Sequence, residues 1–136
     1  MIQVIMGQKG SGKTKRLIDQ ANDALKVEHG SVVFIDDDTR YMYDLRHEIR
    51  FVDASDYKIA SADMFYGFVS GMLSMNFDIS VIFVDAFVKM VNADMQTMEP
   101  FFARLEELSK ARNVNFVISI SGDPAELPEF VTRYAI

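Results

Sequence analysis

Gly7-Gln8-Lys9-Gly10-Ser11-Gly12-Lys13-Thr14 is the stretch of this chain best equipped for chemistry. Its spacing, G-x-x-x-x-G-K-[ST], suits a polyphosphate. Glycines at 7 and 12 let the backbone turn sharply and come close to an anion that a Cβ would obstruct. Successive backbone N–H groups, with the positive end of a following helix, then surround the phosphates. Lys13 is placed to reach the β- and γ-phosphates as a point charge, and the Thr14 hydroxyl to ligate Mg²⁺.

A second group belongs to the same chemistry. Ile79-Ser80-Val81-Ile82-Phe83-Val84-Asp85 is an apolar run closed by a carboxylate. Such a run suits a central parallel strand buried on both faces. A strand of this kind ending in aspartate downstream of a phosphate loop is the Walker B arrangement. Its carboxylate holds Mg²⁺, usually through water, opposite the Thr14 hydroxyl. The expected metal ligands are therefore Thr14 and Asp85.

These groups need a frame that brings residues 7–14 and 85 to one edge. The apolar residues 2–6 read as a buried strand, and 15–29 as a helix with Leu17, Ile18, Ala21, Ala24 and Leu25 on one face and Gly30 at its C-terminal end. Residues 32–35 form a short strand that Asp36, Asp37, Asp38 and Thr39 terminate. A short helix over 39–48 and a strand over 49–52, closed by Asp53, are expected next. Residues 60–76 read as a helix that is apolar over most of its girth. Its exception is a small-residue face of Gly67, Ser70, Gly71 and Ser74, which suits tight packing on the sheet or contact with a second subunit. Residues 97–112 give an amphipathic helix with Phe101, Phe102, Leu105 and Leu108 inward and Pro100 in its first turn. Residues 114–120 form a buried strand. Asp123 and Pro124 open a one-turn helix, and 130–136 are expected to close the sheet. Alternating strands and helices mean a three-layer α/β sandwich with a mostly parallel central sheet, its ligands beyond the carboxyl ends of the strands.

Composition bounds the alternatives. The 136 residues suit a single domain spanning 1–136, and 49% apolar with 25% charged residues is a globular mix. Without cysteine there is no disulfide framework, thiolate metal site or thiol nucleophile. A net charge of −6 argues against nucleic acid as a partner. Lys9, Lys13, Lys15 and Arg16 form the one dense basic cluster, and it coincides with the phosphate loop. No signal peptide is evident, and residues 79–90, interrupted by Asp85 and Lys89, are too short to span a bilayer. A cytoplasmic protein is expected. His29 and His47 have no ligand-spaced neighbours and read as surface residues; the nine methionines read as core filler.

With both halves of the site in view, the chain resembles the P-loop NTPase superfamily over essentially its whole length. Within it, the RecA-like class places another strand between those carrying Walker A and Walker B, with a polar sensor near the γ-phosphate. That likeness makes Ser119 or Ser121, which share one face of their strand, the candidate sensor. The guanine-selecting [NT]-K-x-D motif of GTPases is absent, which favours ATP. More narrowly, GQKGSGKT at 7–14, VIFVDAF at 81–87 and SGDPAELPEF at 121–130 resemble a small bacterial family of ATP-binding proteins sometimes labelled as related to twitching-motility ATPases. One departure matters. Many RecA-like ATPases carry a glutamate directly after the Walker B aspartate to polarise the attacking water, and here Ala86 stands there. Hydrolysis then needs another carboxylate, for which Asp36, Asp37, Asp38 and Asp53 are candidates. Arg104, Arg112 and Arg133 are candidates for an arginine finger acting across an interface.

The resemblance implies a Mg²⁺-dependent ATP-binding protein, a slow or partner-activated ATPase acting as a switch. In that reading Phe87, Val88, Met90 and Val91 meet a protein partner or a second copy. A non-hydrolysing ATP-binding module is the alternative. A small-molecule kinase is a further one, since Asp38-Thr39-Arg40-Tyr41 is similar to a D-x-R-Y stretch of RecA-like thymidine kinases. Those enzymes also carry a zinc-binding cysteine cluster and a glutamate after the Walker B aspartate; neither appears here, nor does an arginine-rich lid.

Overall fold

The computed structural model describes residues 1–136, in which five strands alternate with helices. In chain order they are β1 (Ile2–Gly7), α1 (Lys13–Ala24), β2 (Ser31–Asp36), β3 (Arg50–Asp53), α2 (Ala62–Met75), β4 (Ile79–Val84), α3 (Phe87–Val91), α4 (Glu99–Arg112), β5 (Asn115–Ser121) and α5 (Glu129–Thr132). The strands form one parallel sheet in the order β1-β5-β4-β2-β3. β5 thus lies between the strand that leads into the Gly7–Thr14 loop and the strand that leads into Asp85.

Side-chain alternation along the strands sorts the core into two layers. Val4, Val33, Ile35, Ile82, Val84, Phe116 and Ile118 face α2 and α4, where Phe65, Val69, Leu73, Phe101, Phe102 and Leu105 meet them. Ile5, Val32, Phe34, Val81, Phe83 and Val117 face α1, which contributes Leu17, Ile18 and Ala21. Continuing each strand in steps of two puts Asp36, Asp85, Ser119 and Ser121 on the α1 side, at the carboxyl edge. One apolar pattern therefore builds the core and aims four polar groups at one place. No helix is long and apolar enough to cross a membrane.

Several expectations change. The first helix ends at Ala24, followed by turns through Val27, so Gly30 does not cap it. Gly30 instead lies against the Asp78 carbonyl, where a Cβ has no room. Residues 39–48 hold only a single 3-10 turn, Met42–Asp44. Local bonds compete with a helix there: Asp38 Oδ1 accepts from the Arg40 N–H at 2.9 Å, and Asn22 of α1 ties down both the Asp44 carbonyl and the Arg46 N–H. Asp123 caps a hydrogen-bonded turn rather than a helix. The last segment first makes α5; only then does it bond to β1, through Val4 to Tyr134 and Ile136 to Val4.

Two surfaces are also reassigned. α2 buries the stripe Phe65, Val69 and Leu73, which leaves Gly67, Gly71 and Ser74 exposed rather than packed on the sheet. Met64 and Met75 are exposed as well, as is Met1, so these three methionines are not core filler. In the other direction, Phe87, Met90 and Val91 are buried in the larger core layer, and only Val88 of that cluster is partly exposed. The apolar run after Asp85 roots α3 in the core.

Candidate nucleotide site

The loop after β1 has the backbone of an anion cradle. Gly10 and Gly12 hold φ of 82° and 90°, a left-handed conformation that other residues resist. A Cβ on Gly7 would collide with the Ser11 side chain. Helix α1 starts at Lys13 with no side-chain cap and no acidic residue in its first turn. Its leading N–H groups are left for an external acceptor. Lys13, Lys15 and Arg16 crowd this positive helix end against the usual preference, an arrangement that an anion would relieve. The Lys13 ammonium rests on the Gln8 carbonyl at 2.9 Å. Partial burial lowers its pKa, against the opposing pull of Asp85.

Three strand ends and α1 converge on Asp85, which is 5% exposed. The Thr14 hydroxyl donates to its Oδ2 at 2.9 Å, and the Ser119 hydroxyl to its Oδ1 at 2.5 Å. Ser119 Oγ in turn accepts the Ala86 N–H at 3.3 Å. The Asp85 N–H donates to the Ile35 carbonyl, which draws the end of β4 against β2. Hydroxyl and carboxylate oxygens form a hard donor set, and hard oxygen donors suit Mg²⁺. Ser121 is exposed, aligned with Gly7, and lines the same cleft.

The four candidate aspartates separate. Asp36, at the end of β2, is 2% exposed; its Oδ1 accepts the Asp37 N–H at 2.7 Å, and its Oδ2 has no partner. Burial first, then the adjacent Asp37 carboxylate and the charge on Asp85, push it up to about 8. Burial also raises Asp37, but its bonds to Lys89 and Asp36 outweigh this and hold it below the ordinary range. Asp37 Oδ2 lies 2.9 Å from Lys89 Nζ. Asp38 is partly exposed and is used by the backbone of its own turn. Asp53 is aligned with Asp36 on the neighbouring strand, but its carboxylate caps the following turn through Ser55 N–H and Oγ, outside the cleft.

An open cleft of about 1170 Å³ joins these groups, from Lys9 and Gly12 past Asp85 and Asp36 to Arg40 and Tyr41. Arg104, Arg112 and Arg133 lie outside it. Arg104 bonds Asp63 at 3.3 Å and lies over the Tyr66 ring; Arg133 lies over Tyr134. His29 and His47 are exposed. Sequence reasoning did not single out Lys89. Its signal was weak but present: a lone cation one helical turn beyond Asp85, in an otherwise apolar run.

No protein-family model matches the chain, and none of the curated proteins matches it. Among solved structures, it is similar to the crystal structure of flagellar accessory protein FlaH from Methanocaldococcus jannaschii, with a TM-score of 0.55 at 16% identity. The match covers 97% of this chain and 65% of FlaH, so this chain spans somewhat less than two thirds of that protein's length. At this identity the likeness is one of fold. This chain's five-stranded parallel sheet flanked by helices is an α/β fold that matches that of FlaH.

Proposed function

We propose that this chain is a Mg²⁺-dependent ATP-binding protein that hydrolyses its nucleotide slowly or on contact with a partner, and serves as a nucleotide switch. The observation that carries this reading is the chain of bonds Thr14–Asp85–Ser119 beside the left-handed glycine loop. In it Gly7 to Thr14 bind the phosphates, Lys13 neutralises the β,γ end, and Thr14 and Asp85 hold Mg²⁺. The cation supplies charge neutralisation at the reacting phosphate when bound. Ser119 orients Asp85 and couples it to Ala86. The narrower likeness to the bacterial ATP-binding family agrees with this reading.

Asp36 is the favoured water-positioning group. Its strand neighbours that of Asp85, both side chains point to the α1 face, and one of its oxygens lacks a partner. Burial keeps Asp36 protonated up to about pH 8 in the metal-free fold, and a neutral carboxyl polarises water poorly, so slow turnover is expected. Single-turnover phosphate release from Mg·ATP, with protein in excess, tests this. Release that is lost in Lys13→Ala supports an ATPase; tight binding without release leaves the non-hydrolysing module. The extension of the cleft to Asp38, Arg40 and Tyr41 favours a second reading, phosphoryl transfer to a small molecule. A panel of nucleosides that yields no ATP-dependent phosphorylated product would dispose of it.

A further inference from the structure

Lys89 enters the cleft from α3, the element mounted directly on Asp85. Its Nζ sits 2.9 Å from Asp37 Oδ2, and the Asp37 N–H donates to Asp36 Oδ1. The pair therefore links the end of β4 to the end of β2 beside the two buried carboxylates. Lys15 is tied to Asp19 on its own helix, and Arg40 leans on Asp38 in its own turn. Lys89 is thus the cation that bridges two different strand ends across the cleft.

We propose that Lys89 is a γ-phosphate ligand supplied by the chain itself, held by Asp37 until a nucleoside triphosphate enters. This rests on the ATP-binding reading above. The hold is releasable: Asp37 is largely covered at 18% exposure, but the Lys89 side chain is 75% exposed, and water screens the pair from that side. A triphosphate brings several negative charges to the Asp85 side of the cleft, and an ammonium bonds such oxygens through compact, strongly charge-assisted contacts. The long methylene stem lets the ammonium swing while its root stays fixed. That root is firm, since Phe87, Met90 and Val91 of the same short helix are buried. Ala86, at the start of α3, is held in the left-handed region at φ 56° and bonds the hydroxyl that also bonds Asp85. Rearrangement of Asp85 and Ser119 around a bound cation therefore reaches the helix that carries Lys89. A diphosphate lacks the group that Lys89 would bind, so Lys89 sets the preference for ATP over ADP.

The test is calorimetric titration with Mg²⁺ and either ADP or the non-hydrolysable imido analogue of ATP. It compares wild type, Lys89→Met, Asp37→Asn, the double variant and Lys13→Ala. Loss of one charge-assisted bond predicts that Lys89→Met narrows the triphosphate-over-diphosphate preference by about tenfold or more. Asp37→Asn should widen it, and the double variant should match Lys89→Met. An unchanged preference in Lys89→Met, with wild-type binding still dependent on Lys13, overturns the role of Lys89 and spares the nucleotide site. Failure of wild type to bind either nucleotide overturns the site itself, and the Lys89 role with it.

Discussion

Replacing Asp36 by asparagine isolates a carboxyl whose environment opposes its charge. Asp36 is 2% exposed, with one oxygen on the Asp37 N–H and the other without a partner. Burial first, then Asp37 and Asp85, raise its pKa to about 8, against about 3.9 for a free aspartate. In the metal-free folded protein it keeps its proton up to that pH, whereas the unfolded chain releases it near pH 4. The folded state thus binds one more proton across this window, and stability falls as pH rises through it. The contribution is fully present below the unfolded pKa and lost by the folded one. The slope for one proton is about 1.4 kcal/mol per pH unit, so on the order of 2–3 kcal/mol between pH 5 and 7. Asp36→Asn keeps the shape and removes the titration. Urea unfolding of both proteins at pH 5, 6 and 7 in EDTA should show the free-energy difference moving toward Asp36→Asn by roughly 2–3 kcal/mol over that range. Parallel pH dependence in the two proteins would refute the assignment, because Asp36 would then be ionised in the fold at neutral pH.

Ala86→Gly should stabilise the metal-free protein by about 1 kcal/mol, read from the urea midpoint, because glycine adopts the left-handed backbone at φ 56° without strain. Ser119→Ala leaves Asp85 Oδ1 and the Ala86 N–H without their buried partner; a loss of about 1–3 kcal/mol is expected in the same assay. Gly67→Ala and Gly71→Ala face open space on α2, so each should raise helix stability by about 0.5–1 kcal/mol. Destabilisation would instead point to an element packed on that face in solution, which sedimentation would reveal as self-association.

The turn between β1 and α1 was legible because its geometry depends on glycine at fixed positions and on nothing distant. The strand that ends at Asp85 was legible because a strand buried on both faces leaves an almost unbroken apolar run. Asp36 was separable from Asp37 and Asp38 only by its burial, and from Asp53 only once strand order was known. β2 lies beside β4, and β3 lies at the sheet edge, where Asp53 serves its own turn. The span 39–48 misled because its spacing permits a helix. The bonds that prevent one come from Asn22, some twenty residues earlier in the chain. Periodicity also could not say which side of α2 faces the sheet, since one side is apolar and the other small. The buried Phe65–Val69–Leu73 stripe settles it. The Lys89–Asp37 pair joins α3 to the loop after β2, more than fifty residues apart in the chain and beyond the reach of local pattern.

The central claim is that Lys13 and Asp85 make one Mg·ATP site. Calorimetric titration of Mg·ATP into wild type, Lys13→Ala and Asp85→Asn, each repeated in EDTA, tests it most directly. Lys13→Ala is expected to lose most triphosphate affinity with or without metal, and Asp85→Asn chiefly the part that EDTA also removes. Mg·ATP affinity unchanged in both variants would contradict it.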